Sequence, residues 1–404
     1  MAAIGFSTSA QHDTYDVIII GGAIMGSSTA WFLSNDPTFD GRVLVIERDP
    51  SYQACSTAHT NSCIRQQFST ELNVRISQFG ADFITNLRSY MGNPDIPDMP
   101  IQSYGYMYLA DTDAFADALR AAQQVQLAAG AQTRLMSADE IAAEYPFYTT
   151  DDIVLGSINT VNEGYFDGGG LFDWFRRSAR ANGVEYLRGE VTTINRSGDH
   201  IDSVTLADGT TIACGQLVNA TGPRAARTAA MAGIELPVEP RKRFTWVFEA
   251  REKLGRDLPL TIDPSGVHVR QDGPDTFLAG CKPDPDPAAD FDDFTMDHGI
   301  WENTVWPALA TRIPAFEAIR VVTEWAGHYA YNTLDQNAVL GPHPEIANFH
   351  FINGFSGHGL QQSPAMGRGM AEMLVHGAFQ TLDMSPFAYD RIIRNEAIIE
   401  RAVI

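Results

Sequence analysis

Asp16-Val17-Ile18-Ile19-Ile20 runs directly into Gly21-Gly22-Ala23-Ile24-Met25-Gly26. A β-branched run without polar alternation predicts a strand covered on both faces. The glycines then close a tight turn, and Ile24 to Leu33 predicts a helix. Gly41-Arg42 leads into Val43-Leu44-Val45-Ile46, a second buried strand that stops at Glu47. Strand, turn, helix and strand together are a βαβ unit with a right-handed crossover.

That unit carries chemistry. In a dinucleotide fingerprint the first glycine (Gly21) makes the turn, the second lets backbone approach a pyrophosphate, and the third (Gly26) lets helix and strand pack closely. Ala23 stands at the second position, so a methyl points toward the pyrophosphate. Amides at the helix start, Ile24 and Met25 among them, face the anion. Glu47 lies 21 positions beyond Gly26, where a carboxylate for ribose hydroxyls is expected; Arg48 follows it. The arrangement alone leaves FAD and NAD open.

Two further strand ends have the same character. Leu217-Val218-Asn219 ends in Ala220-Thr221-Gly222-Pro223, so bare backbone can lie against a flat ligand. Asn353 is followed by Gly354-Phe355-Ser356-Gly357-His358-Gly359-Leu360-Gln361 and a helix with Pro364 expected near its first turn. Such a helix start directs amides and a positive dipole end at an anion.

Between these landmarks, residues 71–90, 112–129, 171–181 and 298–312 predict helices. Residues 102–109, 183–187, 191–195, 201–206, 210–213, 216–220, 245–249, 267–270, 276–279, 339–340 and 350–353 predict strands. The Asp/Pro-rich loop at 283–290 is expected to point into solvent.

The composition bounds the rest. The chain has 404 residues, 44% of them hydrophobic and 19% charged, which is globular composition. Its formal charge of −22 repels phosphate backbones and anionic lipid, so nucleic acid and membrane surfaces are not expected partners. No segment offers the ~18 apolar residues of a membrane span. Met1 to Tyr15 contains neither Lys nor Arg and no apolar stretch, so no leader is expected. Cys55, Cys63, Cys214 and Cys281 form neither a CxxC pair nor a disulfide framework. A reducing cytoplasmic location and no metal site are expected.

With these residues in hand the sequence resembles the D-amino-acid-oxidase-like family of FAD oxidoreductases, in its sarcosine oxidase and glycine oxidase branch. The resemblance rests on Gly21–Gly26, Glu47, Ser56-Thr57, Cys63 to Phe68, Asn219–Pro223 and Gly354–Gln361, in family order over nearly the whole chain. It implies an α/β, Rossmann-like FAD-binding domain built from 14–95, 150–238 and 326–404. A second α+β substrate domain with an antiparallel sheet is implied for 96–149 and 239–325.

The resemblance also implies roles. Gly21, Gly22, Ala23, Ile24, Met25 and Gly26 would hold pyrophosphate and Glu47 with Arg48 the ribose end. Ser56, Thr57, Ala220, Thr221 and Gly222 would line FAD. Gly354, Phe355, Gly357, His358, Gly359, Leu360 and Gln361 would lie by the isoalloxazine. Arg65 matches the family's anchor for a substrate carboxylate, and bidentate pairing there fixes the α-carbon over the flavin. His358, His328 and Tyr329 are candidates for keeping the amine neutral; Tyr104 and Tyr106 are candidates for the pocket wall.

Departures from the family are equally informative. Gln361 replaces a Lys, and Ala326 to Tyr331 lacks the Cys that attaches FAD covalently. Non-covalent FAD is therefore expected, with attachment through His59 of Ser56-Thr57-Ala58-His59 as the alternative. The strand at 276–279 lacks the oxygen-activating Lys of monomeric oxidases, with Lys282 just beyond it, which implies a dehydrogenase. The expected reaction is oxidation of the C–N bond of a secondary amine or N-substituted amino acid by hydride transfer to the flavin, giving an imine that hydrolyses. Oxidation of a 2-hydroxy acid, or service as a flavoprotein subunit or scaffold of a larger complex, remains open. So does the electron acceptor, whether oxygen, a protein or a quinone.

Overall fold

The computed structural model describes residues 5–401. The first four residues of the stretch read as leader-free lie outside the described residues.

Thr14–Ile20 is an inner strand of an eight-stranded sheet, with parallel neighbours Thr211–Asn219 on one side and Val43–Glu47 on the other. Val17 to Ile20 are all buried because layers cover both faces. On one face lies the Ile24–Ser34 helix, with nine buried residues out of eleven. It has no polar side because it is enclosed between the sheet and the helices Gly168–Ala181 and Gly359–His376. The approach is close: a Cβ on Gly367 would sit 2.0 Å from the Ser28 hydroxyl oxygen. The predicted strands at 210–213 and 216–220 are one continuous strand, Thr211–Asn219. It pairs with His200–Leu206 early and with Thr14–Ile20 along nearly its whole length.

A second eight-stranded sheet runs in the order 319–332, 238–250, 276–281, 268–271, 260–262, 106–110, 155–159, 134–136. Its pairings are antiparallel except one, where Leu260–Ile262 runs parallel to Tyr106–Tyr108. Leu155–Asn159, placed by the sequence with the first domain, pairs here with Tyr106–Ala110. Ile319–Asn332 begins before 326 and pairs with Val238–Ala250 along its length. The two long strands pass from the second sheet to the first body without a break, so no clean boundary falls at 326. At their end Tyr331 bridges to Phe355 of the Gly-rich loop.

Two local expectations change and two are refined. Gly105, at φ +104, interrupts the predicted 102–109 strand, which starts at Tyr106. The 298–312 helix is continuous, with a wider π-turn at Trp301–Val305 between His298–Ile300 and Trp306–Arg312. The acidic loop is exposed over most of its length, as expected, but is tied down at two points. Arg243 donates to both Asp286 carboxylate oxygens at 2.8 and 2.9 Å, and the Ala289 N–H donates to the Pro240 carbonyl at 2.8 Å. Pro364 lies inside the Gly359–His376 helix rather than at its start. Its missing N–H leaves the Leu360 carbonyl, which accepts from the Ser363 hydroxyl at 2.9 Å instead.

Candidate active site

A cleft of about 2350 Å³ of empty space, counted out to its solvent-open mouth, runs along the C-terminal ends of the first sheet and under the second. At one end lie Ile20, Gly21, Ala23, Ile24, Glu47 and Arg48; at the other, Phe355 to Gln361. The crevice beyond the carboxyl ends of parallel strands is where ligands bind such sheets.

Backbone geometry makes the first end. Gly21 has φ +98, and a Cβ there would lie 2.5 Å from the Ala220 carbonyl. A Cβ on Gly26 would lie 1.9 Å from the Gly21 carbonyl. The two strand-end loops thus cross where only glycine fits. The Ile24 amide, at the helix start, meets the Thr57 hydroxyl oxygen at 3.3 Å. Glu47 is 9% exposed, and its carboxylate accepts the Gly22 N–H at 2.9 Å and the Asp49 N–H at 2.8 Å. Burial raises its pKa against the pull of these two donors. Glu47 therefore shapes the turn as well as facing the cleft.

Arg65 defines the other end. It is 2% exposed, on the connection after the Cys63–Ile64 strand. Its guanidinium carbon lies 4.4 Å from the Phe68 ring centroid and 5.6 Å from those of Tyr106 and Tyr108. Its Nη2 is 2.9 Å from Nε2 of His358. A guanidinium can only donate, so Nε2 accepts and the imidazole is neutral. Burial and the Arg65 charge push the His358 pKa down to about 3. The Arg65 N–H donates to Gln361 Oε1 at 2.8 Å, so Gln361 ties the Arg65 segment to the Gly-rich loop.

Tyr329 also lines the cleft and lies flat on the loop: a Cβ on Gly357 would sit 2.4 Å from its ring. The Arg243 guanidinium carbon lies over the same ring, 4.8 Å from its centroid. Tyr106 lines the cleft with a buried ring, and burial pushes its hydroxyl pKa above the usual range. Tyr104 is not brought in. It precedes the strand, half-buried, with its ring 6.0 Å from Tyr165, and it is not among the cleft-lining residues.

His328 is held in another way. Its Nε2 is 2.8 Å from the Asp293 carbonyl, so it carries the proton, and its ring stacks on Phe294 at 4.4 Å. His59 stacks on the same Phe294 at 5.4 Å, with Nδ1 3.0 Å from the Cys55 carbonyl. Phe294 belongs to an acidic strap whose Phe291 lines the cleft. Asp292 pairs with Arg224 at 2.6 Å and with Arg48 at 3.7 Å, and Asp293 pairs with Lys242 at 2.6 Å.

Sequence reasoning missed the strap, Arg224, Arg243, Asn61 and His268, all of which touch or border the cleft. The charge pattern of the Asp-rich run facing Arg241-Lys242-Arg243 was the available signal. Nothing in local spacing marked His268, which is half-buried in the second sheet beside Asn61 at 3.2 Å.

The fit to FAD rests on this geometry: a Gly-only turn, a helix start, a buried carboxylate at the end of the second strand, and an elongated cleft ending at a second Gly-rich helix start.

Comparison with known proteins agrees. The family described as DAO, FAD dependent oxidoreductase, matches residues 16–373. FAD-dependent oxidoreductase domain-containing protein 1 of Xenopus laevis is 38% identical over 423 residues, covering 96% of this chain and 85% of the relative. Sarcosine oxidase subunit beta of Rhizobium meliloti is 23% identical and covers 96% of this chain and 90% of the relative. Among solved structures, L-proline dehydrogenase from P. horikoshii superposes with a TM-score of 0.84 at 25% identity, covering 96% of this chain and 100% of that one. Fold, cleft and relatives agree, and the chain belongs to the DAO family of FAD-dependent oxidoreductases.

Proposed function

We propose that the protein oxidises the C–N bond of a secondary amine that carries a carboxylate, such as an N-substituted amino acid. The observation that carries this reading is Arg65: a buried cation within a cage of Phe68, Tyr106 and Tyr108, beside the His358 loop. A guanidinium in an apolar enclosure favours a planar anion, and a carboxylate matches its fork. Two relatives bear names of enzymes for sarcosine and for L-proline, both secondary amino acids.

FAD, when bound, supplies the electron-accepting chemistry. The chain supplies the geometry. Gly21 to Met25 and Glu47 would hold the dinucleotide end, and Phe355 to Gln361 with Tyr329 the ring end. Arg65 holds the carboxylate, so that the adjacent C–H faces the ring site. His358 is neutral and its Nε2 lone pair is used by Arg65, so it orients the anchor rather than taking the amine proton. His328, with its Nε2 proton given to the Asp293 carbonyl, is a wall residue. Tyr106 and Tyr329 border the space where the amine would sit.

FAD is held non-covalently in this reading, since Ala326 to Tyr331 carries no Cys to attach it. The dehydrogenase assignment is supported by Thr276–Cys281, a strand without Lys; Lys282, just beyond it, is exposed and borders the cleft. The test is the absorption spectrum of natively purified protein, mixed under argon with an amine panel and with a 2-hydroxy-acid panel. Bleaching by N-substituted amino acids supports the reading. Bleaching by hydroxy acids alone replaces it, and protein without flavin removes it. Slow recolouring in air supports a dehydrogenase.

A further inference from the structure

Glu163 is 0% exposed, in the turn between the Leu155–Asn159 strand and the two-residue strand Gly164–Tyr165. Ile64 pairs with Gly164, so the register sets Glu163 beside the residues that follow Arg65. Every contact of its carboxylate comes from a donor in that neighbourhood. The Gln66 N–H donates to Oε1 at 2.7 Å, Asn159 Nδ2 to Oε1 at 2.8 Å, and Gln67 Nε2 to Oε2 at 2.9 Å. Gln67 extends the network: its Nε2 also donates to the Tyr106 carbonyl at 2.7 Å, and its Oε1 accepts from the Ser157 hydroxyl at 2.8 Å. Gln66 Nε2 donates to the Val161 carbonyl at 3.0 Å.

The segment after Arg65 is thus fastened to the second sheet, while the Arg65 N–H is fastened to Gln361 on the flavin-side loop. Burying a carboxylate here is costly. Burial pushes the Glu163 pKa up to about 7, even with three donors and the nearby Arg65 charge pulling it down. An apolar side chain of similar size serves stability as well or better in such places. Above that pKa the group is ionised and acceptor-only, and it receives three inward donors at once; its test is therefore run above about pH 8.

We propose that Glu163 is a positioning residue for Arg65, fixing the Arg65–Gln67 segment against the second sheet so that the guanidinium holds the geometry that binds a substrate carboxylate. The proposal deepens the amine-oxidation reading and rests on Arg65 being a carboxylate anchor. In Glu163→Gln the new NH2 faces either Gln67 Nε2 or the Gln66 and Asn159 donors, so at least one hydrogen bond is lost whichever way the amide turns. Turning Gln67 to compensate sets its oxygen against the Tyr106 carbonyl.

The experiment uses FAD-loaded full-length protein and two probes read by perturbation of the flavin spectrum. Methoxyacetate mimics an N-methyl amino acid without an oxidisable amine; methoxyacetamide is its neutral counterpart. In Glu163→Gln, the dissociation constant for methoxyacetate rises about tenfold and that for the amide stays within twofold; in Glu163→Leu, which removes both acceptor oxygens, hydrogen exchange at the Gln66 amide also speeds at least tenfold. A variant with lowered melting temperature but an unchanged ratio of the two constants and unchanged Gln66 exchange overturns the proposal. If Glu163→Gln does not fold, Asn159→Ala, which removes one donor to the same oxygen, is read in the same way. If the wild type binds FAD but not methoxyacetate, the carboxylate-anchor reading fails; Gln66 exchange then decides whether Glu163 fixes the segment.

Discussion

Arg65 and His358 form one unit: the guanidinium donates to Nε2 of the imidazole at 2.9 Å, and the imidazole is neutral because it is buried beside that charge. Arg65 is thereby tied to the Gly-rich loop. Arg65→Lys keeps the charge but loses the fork and the cage contacts. A charge-assisted hydrogen bond is worth about 1.5–3 kcal/mol, so carboxylate affinity falls ten- to a hundredfold while FAD affinity holds. Titration with methoxyacetate measures it.

Glu47 does two jobs, and two substitutions separate them. Glu47→Ala orphans the Gly22 and Asp49 amides and lowers stability by about 1–3 kcal/mol, besides weakening FAD. Glu47→Gln keeps one acceptor, so it keeps more of the stability than of the FAD affinity. Urea melts of the apoprotein and FAD titrations give the two numbers.

The acidic strap gives a contrast between packing and charge. Asp292 is 70% exposed in its pairing with Arg224 and Arg48, and such pairs contribute under about 1 kcal/mol. Asp292→Asn changes the rate of FAD loss by less than twofold. Phe291 is the strap residue that lines the cleft, its ring 4.8 Å from the Arg224 guanidinium carbon. Phe291→Ala speeds FAD loss about tenfold, measured by release into excess competing apoflavoprotein.

Acid stability follows from histidines shielded from water. Burial holds His268 and His350 at about 4 and His358 at about 3. Each is neutral when folded and takes up a proton on unfolding once the pH drops below its unfolded value of about 6.5. Their stabilisation is present above pH 6.5 and is lost as pH falls. Glu163 acts in the opposite sense, since its raised value keeps a proton in the folded state that the unfolded chain releases above about 4.5. From pH 6.5 to 4.5 these four groups give a net uptake of two protons, so stability falls by at most roughly 2.7 kcal/mol per pH unit. Urea midpoints across that range check the slope, and His350→Gln makes it shallower by one proton.

The βαβ unit was legible because its strands are apolar without alternation and its turn needs glycine, both local facts. Arg65 was legible through its motif alone. The strap was not, because its anchors, Arg48, Arg224, Lys242 and His328, are scattered along the chain and meet only in the fold. Glu163 escaped for the same reason: Gly164 pairing with Ile64, a contact of residues far apart in sequence, is what brings it to Gln66. Tyr104 was misplaced because the alternation of Tyr104, Tyr106 and Tyr108 assumed a strand that Gly105 interrupts.

The most direct test of carboxylate-anchored amine oxidation compares two substrates under argon: an N-methyl amino acid and the same N-methyl amine without its carboxylate. Rapid mixing with FAD-loaded protein follows loss of the oxidised-flavin band. The account predicts fast bleaching by the amino acid, at least a hundredfold slower bleaching by the bare amine, and loss of that difference in Arg65→Met. Equal rates for the two substrates, or bleaching by neither, contradict it.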